Sequence, residues 1–158
     1  MSKKDIFIDN NITKNFGNPL DPEYKKLIKW LMEFDEQHKA KNAYLVVSNK
    51  LLAEYYRTSG HASSLTNITV IINKLQREGR LIKISNQQIK HFKRQYFTKK
   101  VEKKLTCNQE DRDHIPVVLL SDRKYVLSLD VNFLNDLMNF PGFKVTGARK
   151  PQNLPYDK

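Results

Sequence analysis

Cysteine is nearly absent from this chain: Cys107 is the only one in 158 residues. One thiol excludes an internal disulfide and any zinc site built on a cysteine cluster. Such a chain suits a reducing compartment, most simply the cytoplasm. Long apolar runs are lacking as well. No stretch approaches the roughly 18 to 20 residues that a membrane-spanning helix needs, and the opening Met-Ser-Lys-Lys-Asp has no apolar core of a secretory signal. No Gly-rich loop stands ready to cradle phosphates, which argues against a nucleoside-triphosphate enzyme. His38, His61, His91 and His114 lack metal-ligand spacing, and no Ser or Cys sits in a nucleophile motif. With no repeat, low-complexity tract or Gly/Ser linker, residues 1–158 are expected to form one domain.

What is present is apolar material for a core and an excess of positive charge. Hydrophobic residues make up 39% and aromatics 10%, too much for a disordered chain. The formal net charge is +11. It is concentrated: between Ile71 and Leu105 eleven Lys and Arg face only Glu78 and Glu102, a local +9 that leaves +2 for the rest. A field of that size attracts polyphosphate by releasing its condensed counterions, so nucleic acid is the expected partner and no membrane is. Lys90, Lys93, Arg94, Lys99 and Lys100 are the candidate contacts. Tyr44, Tyr55, Tyr56, Phe92, Tyr96 and Phe97 are of the type that stacks on bases, although most are expected in the core.

The hydrophobic pattern alternates between strand and helix. Asp5–Asp9 is a short apolar run, and Ala43–Val47 a second, continuous and β-branched. Asp21 and Pro22 mark a helix start, with Leu27, Ile28, Leu31 and Phe34 at helical spacing, so a helix to about Lys39 is expected. Ser48 opens another, Asn49 to about Arg57, broken by Gly60. A longer helix is expected from Ser64 to Gly79, a strand at Leu81–Ile84, and one basic helix over Gln87–Leu105. Ile115–Leu120 reads as a buried helix, Tyr125–Ser128 as strand, Val131–Met138 as helix and Phe143–Val145 as a last strand. Strands apolar throughout, alternating with helices, belong to a parallel sheet covered on both faces. Ligands of such sheets sit beyond the carboxyl ends of the strands.

Carboxylates are placed at those ends. Asp9 closes the first strand, Asp130 follows the Tyr125 strand, and Glu54 lies two turns into the helix after the second strand. Asp111 and Asp113 precede the short buried helix, and Asp136 is six residues beyond Asp130. Like charges side by side are costly, and a hard divalent cation, Mg²⁺ or Mn²⁺, is the usual reason for gathering them. Singly, each has a plainer explanation as a helix cap or a solvated side chain.

Their order resembles that of the PIN domains, small metal-dependent nucleases that include bacterial toxin ribonucleases. Asp9-Asn10-Asn11 stands where those domains end their first strand. Val46–Glu54 is similar to their second strand and following helix, Glu110–Ile115 to the acid opening a late helix, and Ser128-Leu129-Asp130 to their Ser-x-Asp. The resemblance runs from Ile6 to about Val145 and departs at one point. The acid expected two residues before His114 is Arg112, so Asp111 or Asp113 must serve, and Asp113, nearest the helix start, is favoured. The resemblance implies a three-layer α/β/α fold with a mainly parallel sheet, and hydrolysis of phosphodiester bonds, most often in RNA and less often in DNA. It implies Asp9, Glu54, Asp113 and Asp130 as catalytic acids, and Asp9, Asp111 or Asp113, Asp130 and Asp136 around Mg²⁺ or Mn²⁺. Asn11 and Ser128 would hydrogen-bond a ligand carboxylate or the scissile phosphate. An antitoxin protein and a second copy of the chain are the protein partners it allows. The rival reading is a binding protein of this fold without catalysis.

Overall fold

A computed structural model describes residues 3–17, 20–59 and 67–158. Five strands form one sheet: β1 (Lys4–Ile8), β2 (Ala43–Val47), β3 (Leu81–Lys83), β4 (Tyr125–Leu127) and β5 (Thr146–Ala148). All four pairings are parallel, in the order β3-β2-β1-β4-β5. Ile6, Phe7 and Ile8 of the central strand, and Leu45, Val46 and Val47 beside it, are almost wholly buried. Strands buried on both faces explain why the sequence shows continuous apolar runs rather than alternation.

The chain builds outward from β1 to β3, then crosses back to lay β4 on the other side of β1. Right-handed crossovers on opposite sides of the starting strand put their helices on opposite faces, which gives the three layers. It also makes the carboxyl ends of β1 and β4 the point where strand order reverses. A short helix, α1 (Asn10–Thr13), leaves β1 there, and α8 (Val131–Met138) leaves β4.

Helices α2 (Pro22–Met32), α3 (Asn49–Ser59) and α7 (His114–Leu119) begin close to expectation, and α4 spans Ile68–Arg77. Asp21 accepts hydrogen bonds from the backbone N–H of Glu23 at 2.9 Å and Tyr24 at 3.4 Å, with Pro22 opening the helix. That helix stops at Met32, not near Lys39. Asp35 accepts from the N–H groups of Gln37 and His38, and Asn42 bonds both backbone groups of Asp35, so side chains there offer the backbone a competing set of partners. Helix α4 is capped by Asn67 and ends at Arg77, and Gly79 beyond the cap has a φ of +71° that suits the left-handed turn after a helix. The expected start at Ser64, together with Gly60 and His61, lies outside the described residues.

Two further expectations are corrected. The basic segment is not one helix but two, α5 (Asn86–Tyr96) and α6 (Lys99–Lys104). Thr98 turns extended and its hydroxyl caps Val101, while Phe97 sits against Phe92 and Phe140. Local capping and aromatic burial outweigh helix continuity at that point. The last strand falls at Thr146–Ala148 because Phe143 is taken into the cluster of Phe92, Tyr96 and Phe140. Gly147 lets α8 approach β5: a Cβ there would stand 2.9 Å from Leu134 Cδ2. Among the described residues no helix is long and apolar enough to cross a membrane.

Candidate active site

Asp9 is the first residue beyond β1, nearly buried at 8% exposure. Its Oδ2 accepts a 2.7 Å hydrogen bond from the Ser128 hydroxyl, and Ser128 Oγ in turn accepts from the Asp130 N–H at 3.1 Å. Asn11 bridges the same two elements. Its amide nitrogen donates to Asp9 and to Ser128, each at 3.4 Å, and its oxygen accepts from the Leu129 N–H at 3.0 Å. The ends of β1 and β4 are therefore stitched together by the residues expected to support the site. Asp130 begins α8, accepting from the Phe133 N–H at 3.1 Å.

Glu54 reaches this point from α3, which Ser48 caps. The next residue on the same helix, Tyr55, is fully buried and donates its hydroxyl to the carbonyl of Ile8. This pins α3 to the end of β1 and makes Tyr55 a core residue rather than a base-stacking one. Burial, with the charges of Asp9 and Glu54, pushes its hydroxyl well above the usual tyrosine range. Both oxygens of Glu54 accept from His114 Nε2, at 2.9 and 3.2 Å. His114 is buried against Phe7 and Phe133, with ring centroids 5.7 and 6.4 Å away.

The segment carrying the third acid, Gln109–Asp113, is a 3₁₀ helix. In this geometry residues three apart eclipse and residues two apart diverge. Asp111 therefore lines up with His114, and Asp113 with Glu110. The two acids meet opposite surroundings. Burial raises the Asp111 carboxyl, and the charges of Asp9, Asp130 and Glu54 raise it further against the pull of His114. Asp113 accepts instead from Lys50 at 3.2 Å and from Lys93. Burial would raise its carboxyl too, but the two ammonium groups outweigh that and hold it below the usual range. Both oxygens of the favoured Asp113 are thus taken by lysines, and Asp111 is the acid of this segment whose carboxyl feels the charges of Asp9, Glu54 and Asp130.

Asp136 is not brought to that group either. It is buried, and its oxygens accept from the N–H groups of Thr106 and Cys107 and from the Thr106 hydroxyl, at 2.8–3.0 Å. It anchors the chain after α6 to α8, with its hydrogen-bonding capacity spent on the backbone of Thr106 and Cys107 and the Thr106 hydroxyl. Of the basic candidates, Lys90, Arg94, Lys99 and Lys100 are exposed, whereas Lys93 is half-buried on Asp113. Arg80, also in the basic stretch, is buried and holds Glu78 and the carbonyls of Leu31 and Ala43, a structural role.

Burial raises the Asp9 carboxyl, with Glu54 adding to it, although Ser128 and His114 pull the other way. Glu54 is held below its usual range: burial pushes up, and His114, Lys50 and Arg57 more than offset it. Four carboxylates that burden one another in this way have the donor chemistry a hard divalent cation requires. Among the described residues, however, no three such side chains stand close enough to enclose an ion. His114 occupies both Glu54 oxygens. The chemistry of the set fits a metal, and direct ligation by Glu54 does not.

No protein-family model matches this chain, and no curated protein does. Among solved structures, it is similar to the crystal structure of VapBC2 from Rickettsia felis bound to a DNA fragment from their promoter. The TM-score is 0.54 at 14% identity, over 91% of this chain and 98% of the other. The fold is PIN-like. At that identity the likeness is one of fold alone, with the five-stranded parallel sheet expected from the sequence.

Three residues that the sequence reading did not assign to the site now belong to its description. Lys50 lies four residues before Glu54, a spacing that puts both on one helix face and was legible. Thr58, which donates to the Asn10 side chain at 3.0 Å, gave no signal. His114, which showed no metal-ligand spacing in the sequence, has the site's own glutamate as its partner.

Proposed function

We propose that this chain is a metal-dependent nuclease that hydrolyses phosphodiester bonds in single-stranded RNA. The observation that carries the reading is the hydrogen-bonded link from Asp9 through Ser128 to Asp130 where strand order reverses in a PIN-like sheet, with Glu54 and Asp111 near enough for their charges and that of Asp9 to act on one another. Asp9, Asp111, Asp130 and Glu54 would hold Mg²⁺ or Mn²⁺ largely through its retained waters, since no three of them stand close enough to enclose it directly. A bound divalent ion supplies an activated water and charge stabilisation on the phosphoryl oxygens.

The chain's own residues do the rest. Ser128 and Asn11 fix the Asp9 carboxylate by hydrogen bonds, so it need not reorganise when a cation arrives. His114 fixes Glu54 from beneath, leaving it to accept from water on its open side. The exposed lysines and arginine of α5 and α6 offset the repulsion between bare carboxylates and phosphate. An antitoxin protein that occupies the cleft is the partner this reading carries, supported by the likeness to a VapBC2 structure. A reducing compartment, the cytoplasm, suits the lone buried Cys107.

The test is incubation of a mixed single-stranded RNA pool with purified protein in Mn²⁺, Mg²⁺ or EDTA, wild type beside Asp9→Asn. Cleavage that needs metal and falls by a factor on the order of 10³ in the variant is the expected result. Salt-sensitive RNA binding without cleavage, in protein freed of any co-purified inhibitor, would instead establish the non-catalytic reading. The His114 hold on Glu54 is what favours that second reading.

A further inference from the structure

Asp113 does not face the acidic group, and its surroundings suggest a different task. It stands at the end of the 3₁₀ segment with lysines from two other elements on its two oxygens, Lys50 of α3 on Oδ2 and Lys93 of α5 on Oδ1. The side chains of Lys50, Lys93 and Asp113 are 35%, 33% and 39% exposed, so the cluster lies open at the surface. Lys50 also donates to the carbonyl of Glu110, and the Lys93 ammonium lies over the Phe97 ring, 5.7 Å from its centroid. Two ammonium groups on one carboxylate leave a net charge of +1.

An ammonium has three N–H donors. Among the described residues, Lys50 uses two and Lys93 one. The remaining donors have no acceptor among the described residues and are fixed in place by a carboxylate that is itself fixed by the helix carrying it. This cluster adjoins the acidic group through Glu54, whose carboxyl feels Lys50 one turn away. A pre-positioned pair of partly free ammonium groups beside a carboxylate site is suited to a phosphodiester next to the one being cut.

We propose that Lys50 and Lys93, positioned by Asp113, form a phosphate subsite for the RNA backbone at the lip of the acidic cleft. The proposal rests on the ribonuclease reading for its substrate, but binding can be read without catalysis. Asp113 is then a positioning residue, not a metal ligand.

The experiment is fluorescence anisotropy of a labelled single-stranded RNA oligonucleotide in EDTA across a range of KCl concentrations. Wild type is compared with the double variant Lys50→Gln/Lys93→Gln and its conservative counterpart Lys50→Arg/Lys93→Arg. Calorimetric Mn²⁺ titration of wild type, Asp9→Asn and Asp113→Asn accompanies it. The glutamine pair is expected to weaken RNA binding roughly tenfold and to flatten the log–log salt slope by about 1.4, two contacts of ~0.7 each. The arginine pair is expected to restore both, and Asp113→Asn to leave Mn²⁺ affinity unchanged while Asp9→Asn lowers it. An unchanged salt slope in the folded glutamine pair would reduce the cluster to a structural tether and overturn the proposal. Equal loss of Mn²⁺ affinity in Asp113→Asn and Asp9→Asn would overturn it from the other side. RNA binding with the expected slope change, but no cleavage by wild type, would refute catalysis and uphold the subsite.

Discussion

Replacing Asp111 and Asp113 one at a time by Asn should move stability in opposite directions. Asp113 sits in two ion pairs whose side chains are 33–39% exposed. After solvent screening each is worth about 0.5 kcal/mol, so Asp113→Asn should cost about 1 kcal/mol in total. For a domain of this size that lowers Tm by roughly 2–4 °C. Asp111 is raised by burial and by the charges of Asp9, Asp130 and Glu54, so its ionised form is a burden on the metal-free fold. Removing the charge should add on the order of 0.5 kcal/mol and raise Tm by 1–2 °C. The pH dependence carries the sign. A carboxyl lowered by folding contributes stability above its unfolded pKa and loses it as pH falls through the folded value, so the Asp113→Asn deficit should vanish in acid. A carboxyl raised by folding is a penalty at neutral pH that lifts as pH falls through its folded value, so the Asp111→Asn gain should shrink toward zero there too. Differential scanning calorimetry in EDTA at neutral and acidic pH reads both. Shifts of the same sign at neutral pH would mean that the 3₁₀ segment does not divide the two acids between opposite faces. The reassignment of the third carboxylate would then fail.

Three other substitutions test different links in the argument. Tyr55→Phe strips the hydroxyl from the Ile8 carbonyl in a fully buried position, and should destabilise by about 1–3 kcal/mol in chemical denaturation; a loss below the error of the measurement would remove Tyr55 as the pin between α3 and β1. Gly147→Ala puts a methyl group 2.9 Å from Leu134 and 3.1 Å from Val126, and should cost about 1–3 kcal/mol through overpacking, read as a lower denaturation midpoint at unchanged slope. Charge reversal of Lys90, Arg94, Lys99 and Lys100 should flatten the salt slope of RNA binding by at least about 2.8, since four contacts of ~0.7 are removed. An unaltered slope would move the nucleic-acid surface off α5 and α6.

Much of this molecule was legible from local pattern. Asp21-Pro22, Ser48 and Asp130 start helices where a cap is expected, because capping depends only on neighbours within a turn. The parallel sheet followed from strands apolar throughout, and the placing of Asp9 and Asp130 followed from the rule for strand ends. Boundaries failed where a distant contact competed with local preference. Phe97 and Phe143 joined an aromatic cluster with Phe92 and Phe140, which split one expected helix and displaced the last strand.

The sequence by itself determined the class of fold, the central strand and the residue at its end, since hydrophobic period and chain order are one-dimensional properties. Tertiary structure alone decided which carboxylates pair with lysines or backbone and which are left near one another. Asp111 and Asp113 differ by two positions, yet along the tightly wound 3₁₀ segment Asp113 pairs with Lys50 and Lys93 while Asp111 feels the charge of Asp9. Asp136 is spaced like a site residue, yet backbone N–H groups thirty residues upstream claim its oxygens. The partner of a charged side chain is settled by what packing brings within 3 Å of it, and spacing along the chain does not encode that.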